Sequence, residues 1–181
     1  LLQRVRAGEV PPEEAALSLE TETDLGWAVV DDHRARRTGL PEVVYGEGKT
    51  SEQIAALLAH LVSKGQPALA TRVSPEKADA ASALEEGLHY LAVPRLLYAV
   101  PDGHEAFART QEGTVCVVSG GTADLPVAEE AAACAEWFGL GVERAFDVGV
   151  AGLHRLLHRV DALRQADVVI AVDLNSGIAS R

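Results

Sequence analysis

Val115-Cys116-Val117-Val118-Ser119-Gly120-Gly121-Thr122-Ala123-Asp124 is the stretch whose reading decides the fold. Val115 to Ser119 is apolar and β-branched, the texture of a strand buried in a parallel sheet. Gly120-Gly121 ends it, and a helix is predicted from about Leu125 to Phe138. Gly139 to Gly141 breaks that helix, and Val142 to Phe146 reads as a second strand. Ala151 to Gln165 reads as a helix with Leu153, Leu156, Leu157, Val160 and Leu163 on one face. Val168 to Val172 is a third apolar strand. Strand and helix alternate, which argues for a parallel, doubly wound sheet.

Upstream the texture differs. Pro11-Pro12-Glu13-Glu14 is an acidic start suited to a short helix, with Ala15, Ala16 and Leu19 as a weak apolar stripe. Asp24 to Arg37 mixes an apolar patch with charges and predicts a short strand followed by an irregular segment. Pro41 to Tyr45 predicts a strand. Thr50 and Gln53 have capping-box spacing, and Ile54, Leu57, Leu58, Leu61 and Val62 recur at helical spacing until Gly65. Ala68 to Val73 is a strand candidate, and Ser74-Pro75 opens a helix closed by Gly87. Leu88 to Val93 and Leu96 to Val100 are strands split by Pro94. The expected organisation is therefore an N-terminal α/β domain over 1–100, a polar linker over 101–113, and a parallel α/β domain over 114–181.

The net charge is −11 with no Lys/Arg block, which argues against a general nucleic-acid binder. No apolar run is long enough to span a bilayer and no signal-peptide pattern is present. The chain starts at Leu1 rather than Met, so a start inside a longer chain is expected. Cys116 and Cys134 sit in apolar stretches and read as free, reduced and buried, which fits a cytoplasmic protein.

The strongest candidate site is the turn Ser119, Gly120, Gly121, Thr122, Ala123 and Asp124. Ligands of open parallel sheets sit at the carboxyl ends of the strands. Glycines let a ligand approach the backbone, and the following helix offers unpaired N–H groups suited to phosphate. Thr122 can add a hydroxyl donor, while Asp124 either caps the helix or holds a ribose hydroxyl; a plain capped turn is the alternative. The pattern is not G-x-G-x-x-G, so the Rossmann fingerprint is absent. The next loop, Asp147-Val148-Gly149-Val150-Ala151-Gly152, is expected at the same rim, with Val148, Gly149, Val150 and Gly152 facing the same ligand. Asp147 is its only carboxylate and is either a cap or a second catalytic candidate beside Asp124.

Other patterns carry less. His154, His158 and Asp161 have helical metal-ligand spacing, but no HExxH glutamate lies between the histidines, and surface or interface residues are expected. Gly48-Lys49-Thr50 resembles the end of a Walker A loop, yet the required earlier glycine is Val43, leaving at most a weaker anion site. His33 with Asp31, Asp32, Arg34, Arg36 and Arg37 is either an acid–base group or a solvated charge cluster or subunit contact.

Longer motifs carry a resemblance. His33 to Thr50, Thr71-Arg72-Val73-Ser74, Gly120 to Ala131 and Asp147 to Leu157 stand in the order found in the LarB family. Some of its members bear the older label circadian phase modifier. The resemblance implies a smaller N-terminal domain followed by a PurE-like, flavodoxin-like three-layer domain of the purine-carboxylase class. It implies a pyridinium-3,5-biscarboxylic acid mononucleotide synthase of nickel-pincer cofactor biosynthesis. Such an enzyme carboxylates the ring of nicotinic acid adenine dinucleotide with CO2 or bicarbonate and hydrolyses the phosphoanhydride to release AMP. No covalent cofactor is implied; Mg2+ is a candidate companion of the phosphates, and a homo-oligomer, octameric in PurE-like domains, is expected.

In the family a cysteine from a late segment adds to the ring as nucleophile. Neither Cys116 nor Cys134 lies at that motif, and Asp173 to Arg181 does not resemble the family's next loop, so a C-terminally truncated copy is expected. Ala123 stands where the family usually has serine. Val148-Gly149-Val150-Ala151 replaces the Ser-Ala-His-Arg of purine carboxylases, which disfavours the alternative of an aminoimidazole ribonucleotide carboxylase or mutase. A non-catalytic regulator is the other alternative. A sheet of three parallel strands exposes an apolar edge, so poor stability or aggregation is expected.

Overall fold

The computed structural model describes residues 2–12, 22–149 and 153–173. The chain is mixed α/β and divides into two compact units, Leu1–Glu42 and Val43–Arg181.

The first unit contains α1 (Leu2–Arg6), β1 (Glu22–Asp24), β2 (Val29–Asp31) and α2 (Arg34–Thr38). β1 and β2 pair antiparallel, with Thr23 opposite Val30. The turn between them is closed by the Gly26 amide, which donates to Asp24 Oδ1 at 2.7 Å. α2 ends at Gly39, whose left-handed φ of 77° lets its amide reach the Ala35 carbonyl. The sequence predicts one strand and an irregular segment here. The extra strand and helix come from these local turn and cap bonds, which hydrophobic spacing does not register. The helix candidate over Pro11 to Leu19 lies mostly outside the described residues.

The second unit opens with β3 (Val43–Tyr45), α3 (Ser51–Ser63), β4 (Ala68–Thr71), α4 (Pro75–Leu84), β5 (His89–Leu91) and β6 (Leu96–Ala99). Their sheet has the order β3-β4-β6-β5, with β3 and β4 parallel and the other pairs antiparallel. α3 starts where Thr50 accepts from the Gln53 amide and Gln53 accepts from the Thr50 amide. Its apolar stripe buries Ile54, Leu58 and Leu61 completely, as are Leu69 and Ala70 of β4.

β7 (Thr114–Ser119), a 3-10 turn (Thr122–Asp124), α5 (Leu125–Trp137), β8 (Gly141–Ala145), α6 (Leu153–Leu157), α7 (Val160–Gln165) and β9 (Val168–Val172) follow. Here all pairing is parallel, in the order β8-β7-β9. Right-handed crossovers that leave β7 for β8 and then return past β7 to β9 put their helices on opposite faces. Ala128, Ala132 and Ala135 of α5 pack on Val115 and Val117. Cys116, one residue out of phase, lies on the other face, within electrostatic reach of Arg159 at the start of α7. This is the doubly wound, PurE-like α/β arrangement. β9 is an outer strand whose Val168 and Val169 are about half exposed.

Two expectations are corrected. The single helix over Ala151 to Gln165 is two helices. The Arg159 amide bonds the Leu156 carbonyl at 2.9 Å, an i to i−3 contact that tightens and ends α6. The segment over 101–113 is also more than a linker. Phe107 packs against Tyr98 and Trp137, with ring centroids 5.1 and 5.4 Å apart. Burying these rings together favours a packed strap over a solvated one.

Candidate functional site

β7 and β8 end side by side, and the loops leaving them touch. The Val148 amide donates to the Ser119 carbonyl at 3.1 Å, and the Gly149 amide donates to the Gly120 carbonyl at 2.9 Å. A Cβ on Gly149 would stand 2.5 Å from the Gly120 oxygen, so only glycine permits this approach. Of the predicted site residues, Gly120, Gly121, Thr122, Ala123, Asp124, Val148 and Gly149 are thus brought to one rim. Val150 and Gly152 lie outside the described residues.

Within the first loop, the Asp124 carboxylate turns inward. It is almost fully buried and accepts the Gly121 amide at 2.9 Å. It therefore braces the glycine turn rather than facing solvent. Thr122 and Ala123 are exposed on the 3-10 turn that leads into α5. In the second loop Asp147 is exposed, adopts a left-handed φ of 56°, and pairs with Arg155 of α6. Non-glycine residues hold that conformation only when their surroundings enforce it.

Two neighbours complete this rim, of which sequence reasoning missed the second. Ser119 is 1% exposed, and its hydroxyl has no hydrogen-bond partner among the described residues. Alternation along β7 puts it on the α5 face with Val115 and Val117, under the glycine turn. Sequence places it in this turn, at the strand end, where a polar residue follows four apolar ones. The second is the end of β9: the Gly120 amide lies 3.4 Å from the Val172 carbonyl. Strand order reverses between β7 and β9, which is where a crevice opens in such sheets.

The remaining candidates are structural in character. Lys49 Nζ donates to the Tyr45 carbonyl at 3.1 Å, so it closes its own loop. In the first unit Arg37 pairs with Asp31, Asp31 also accepts the His33 amide, and Thr23 donates to the buried Asp32 carboxylate at 2.6 Å. That is a charge-braced turn. His154, His158 and Asp161 are exposed, and among the described residues no group of three His, Cys, Asp or Glu lies close enough to hold a metal. Cys116 is buried, and Cys134 is partly buried rather than fully so. Burial raises both thiols, Cys134 to about 11, so each is protonated near neutral pH and a poor nucleophile.

A doubly wound α/β protein with PurE-like topology and a glycine-lined rim is thus defined by geometry. The chain matches, over residues 22–101, the family described as LarB/PurE-like N-terminal domain. It is also 34% identical over 141 residues to an uncharacterized protein of Methanocaldococcus jannaschii, MJ0165. That match takes in 77% of this chain and 55% of the relative, so the chain spans about half the length of the curated relative it matches. No helix among the described residues is long and apolar enough to cross a membrane.

Proposed function

We propose that the rim formed by Gly120 to Asp124 and Val148 to Gly149 binds the phosphate groups of a pyridine dinucleotide, and that the chain serves LarB-type synthesis. In that reaction nicotinic acid adenine dinucleotide gains a ring carboxylate from CO2 or bicarbonate, losing a ring proton. Water then splits the phosphoanhydride to release AMP. The observation that carries this reading is the Gly149–Gly120 contact, which brings two backbone-lined loops to one rim beside the start of a 13-residue helix. The positive end of the helix favours a phosphate there. The buried, unpartnered hydroxyl of Ser119 adds a polar group beneath the turn.

The roles within the site follow from exposure. Thr122, solvent-facing, offers a hydroxyl to phosphate, while Asp124 holds the loop. Mg2+ would be carried on the phosphates of the substrate. Neither thiol is suited to add to the pyridinium ring, so the 181-residue chain binds the dinucleotide without turning it over. A cytoplasmic homo-oligomer is the setting that goes with this reading.

Calorimetric titration of the purified chain with nicotinic acid adenine dinucleotide and Mg2+, with chromatography of the products after adding bicarbonate, tests it. Saturable binding without AMP is expected. Absence of binding would overturn the site, and steady AMP release with a carboxylated product would overturn the assignment of the thiols as inert.

A further inference from the structure

We propose that the chain carries a second ligand site, for an organic cation bearing a substituted ammonium or guanidinium group, in the groove between β5–β6 and α5. The groove is open to solvent and measures about 470 Å³, and its apolar lining includes Leu91, Pro94, Tyr98, Phe107 and Ala133. That volume falls in the range of small-molecule pockets, roughly 300–1,000 Å³. Its polar lining is Glu129, Glu136 and Arg144. None of the residues of the two rim loops lines it, so the proposal stands apart from the dinucleotide reading.

Charge selects the ligand. Arg144 holds Glu136 with both terminal nitrogens, at 2.6 and 2.8 Å, and Glu129 with Nε at 3.0 Å. One guanidinium facing two carboxylates leaves a net charge of −1. Each ionised carboxylate has room for about four hydrogen bonds, so the bonds from Arg144 leave acceptor capacity on both. The whole chain, at −11, repels anions further.

The aromatic lining points the same way. The Tyr98 and Phe107 rings stand 5.1 Å apart at 86°, making a right-angled corner. Ring faces are electron-rich and attract cations within about 6 Å. Phe107 keeps this position with a left-handed φ of 61°, unusual for a bulky residue. An apolar floor disfavours small, strongly hydrated metal ions, so the cation must carry apolar substituents.

Arg144 also ties β8 to α5, and the test separates that bracing from recognition. Benzyltrimethylammonium and benzoate are titrated separately onto the full chain, followed by the NMR shifts of the Tyr98 and Phe107 rings. Saturation by the cation alone is expected. Arg144→Gln removes the positive charge and should tighten cation binding about tenfold, whereas Glu129→Gln should weaken it about tenfold, as a unit charge some 6 Å away implies. Tyr98→Leu keeps bulk, loses the ring face, and should also weaken binding. Thermal melts of each variant report folding, and the unaltered chain alone distinguishes cation from benzoate. Benzoate binding as tightly as the cation, no saturation by either, or Arg144→Gln and Glu129→Gln shifting affinity in the same direction would overturn the proposal. So would ring shifts that grow with protein concentration and block the probe, because the groove would then hold a second copy of the chain.

Discussion

The Gly149 amide donates to the Gly120 carbonyl at 2.9 Å, and no side chain fits between them. The loop after β8 therefore rests on the loop after β7. Gly149→Ala would place a methyl 2.5 Å from that oxygen and must push the loops apart. We expect a loss of about 1–3 kcal/mol in urea unfolding and at least a tenfold (~1.4 kcal/mol) drop in dinucleotide affinity by calorimetry. Gly48→Ala is the control, since nothing lies within 4 Å of its added methyl. Equal effects from both would refute the argument from contact.

Asp124 supports the same rim from below. Its buried carboxylate accepts the Gly121 amide. Asp124→Ala leaves that amide unpaired and should cost about 1–3 kcal/mol. Asp124→Asn keeps an acceptor oxygen and should recover most of it. If dinucleotide affinity falls equally in both variants while only the alanine melts early, the carboxylate touches the ligand after all.

How much of this was legible can be read residue by residue. β9 spans Val168–Val172, as its apolar run predicts, and α3 starts after Thr50, where the capping-box spacing puts it. Both are local signals, a run and a spacing. The break between α6 and α7 was hidden, because Leu156, Leu157, Val160 and Leu163 continue a helical stripe across it. Phe107 on Trp137 was hidden too, since thirty positions separate partners that only the folded chain brings together. For Asp124, sequence left a cap and a ribose contact open. The choice depended on where one carboxylate turned, which no spacing encodes.

Burial raises Cys134 from 9.0 to about 11, so the folded chain holds that proton more tightly than the unfolded chain. The stability this group contributes is complete below pH 9 and is lost as pH rises through 11. Unfolding measured from pH 8 to 11 should fall more steeply in the natural chain than in Cys134→Ala. At pH 7, iodoacetamide should label the folded chain far more slowly than the urea-unfolded one. Fast labelling of the folded state would show an accessible thiolate and undo the assignment of the thiols as inert.

Arg72 separates backbone strain from an ion pair. It adopts a left-handed φ of 56° just past β4, and its Nε lies 2.6 Å from Glu130 Oε2 on α5. Arg72→Ala loses the pair but keeps a Cβ in the strained conformation. Arg72→Gly loses the same pair and relaxes the strain, so it should be about 1 kcal/mol more stable than the alanine variant. Elsewhere glycine is the worse residue, because it gives up more chain freedom on folding. Glu130→Gln, which leaves the backbone alone, reports the pair by itself and should cost at most about 1 kcal/mol, because Arg72 remains partly exposed. Denaturant melts of the three variants fix the order. If alanine proves more stable than glycine at position 72, the left-handed turn is not under strain and the ion pair alone holds the end of β4 against α5.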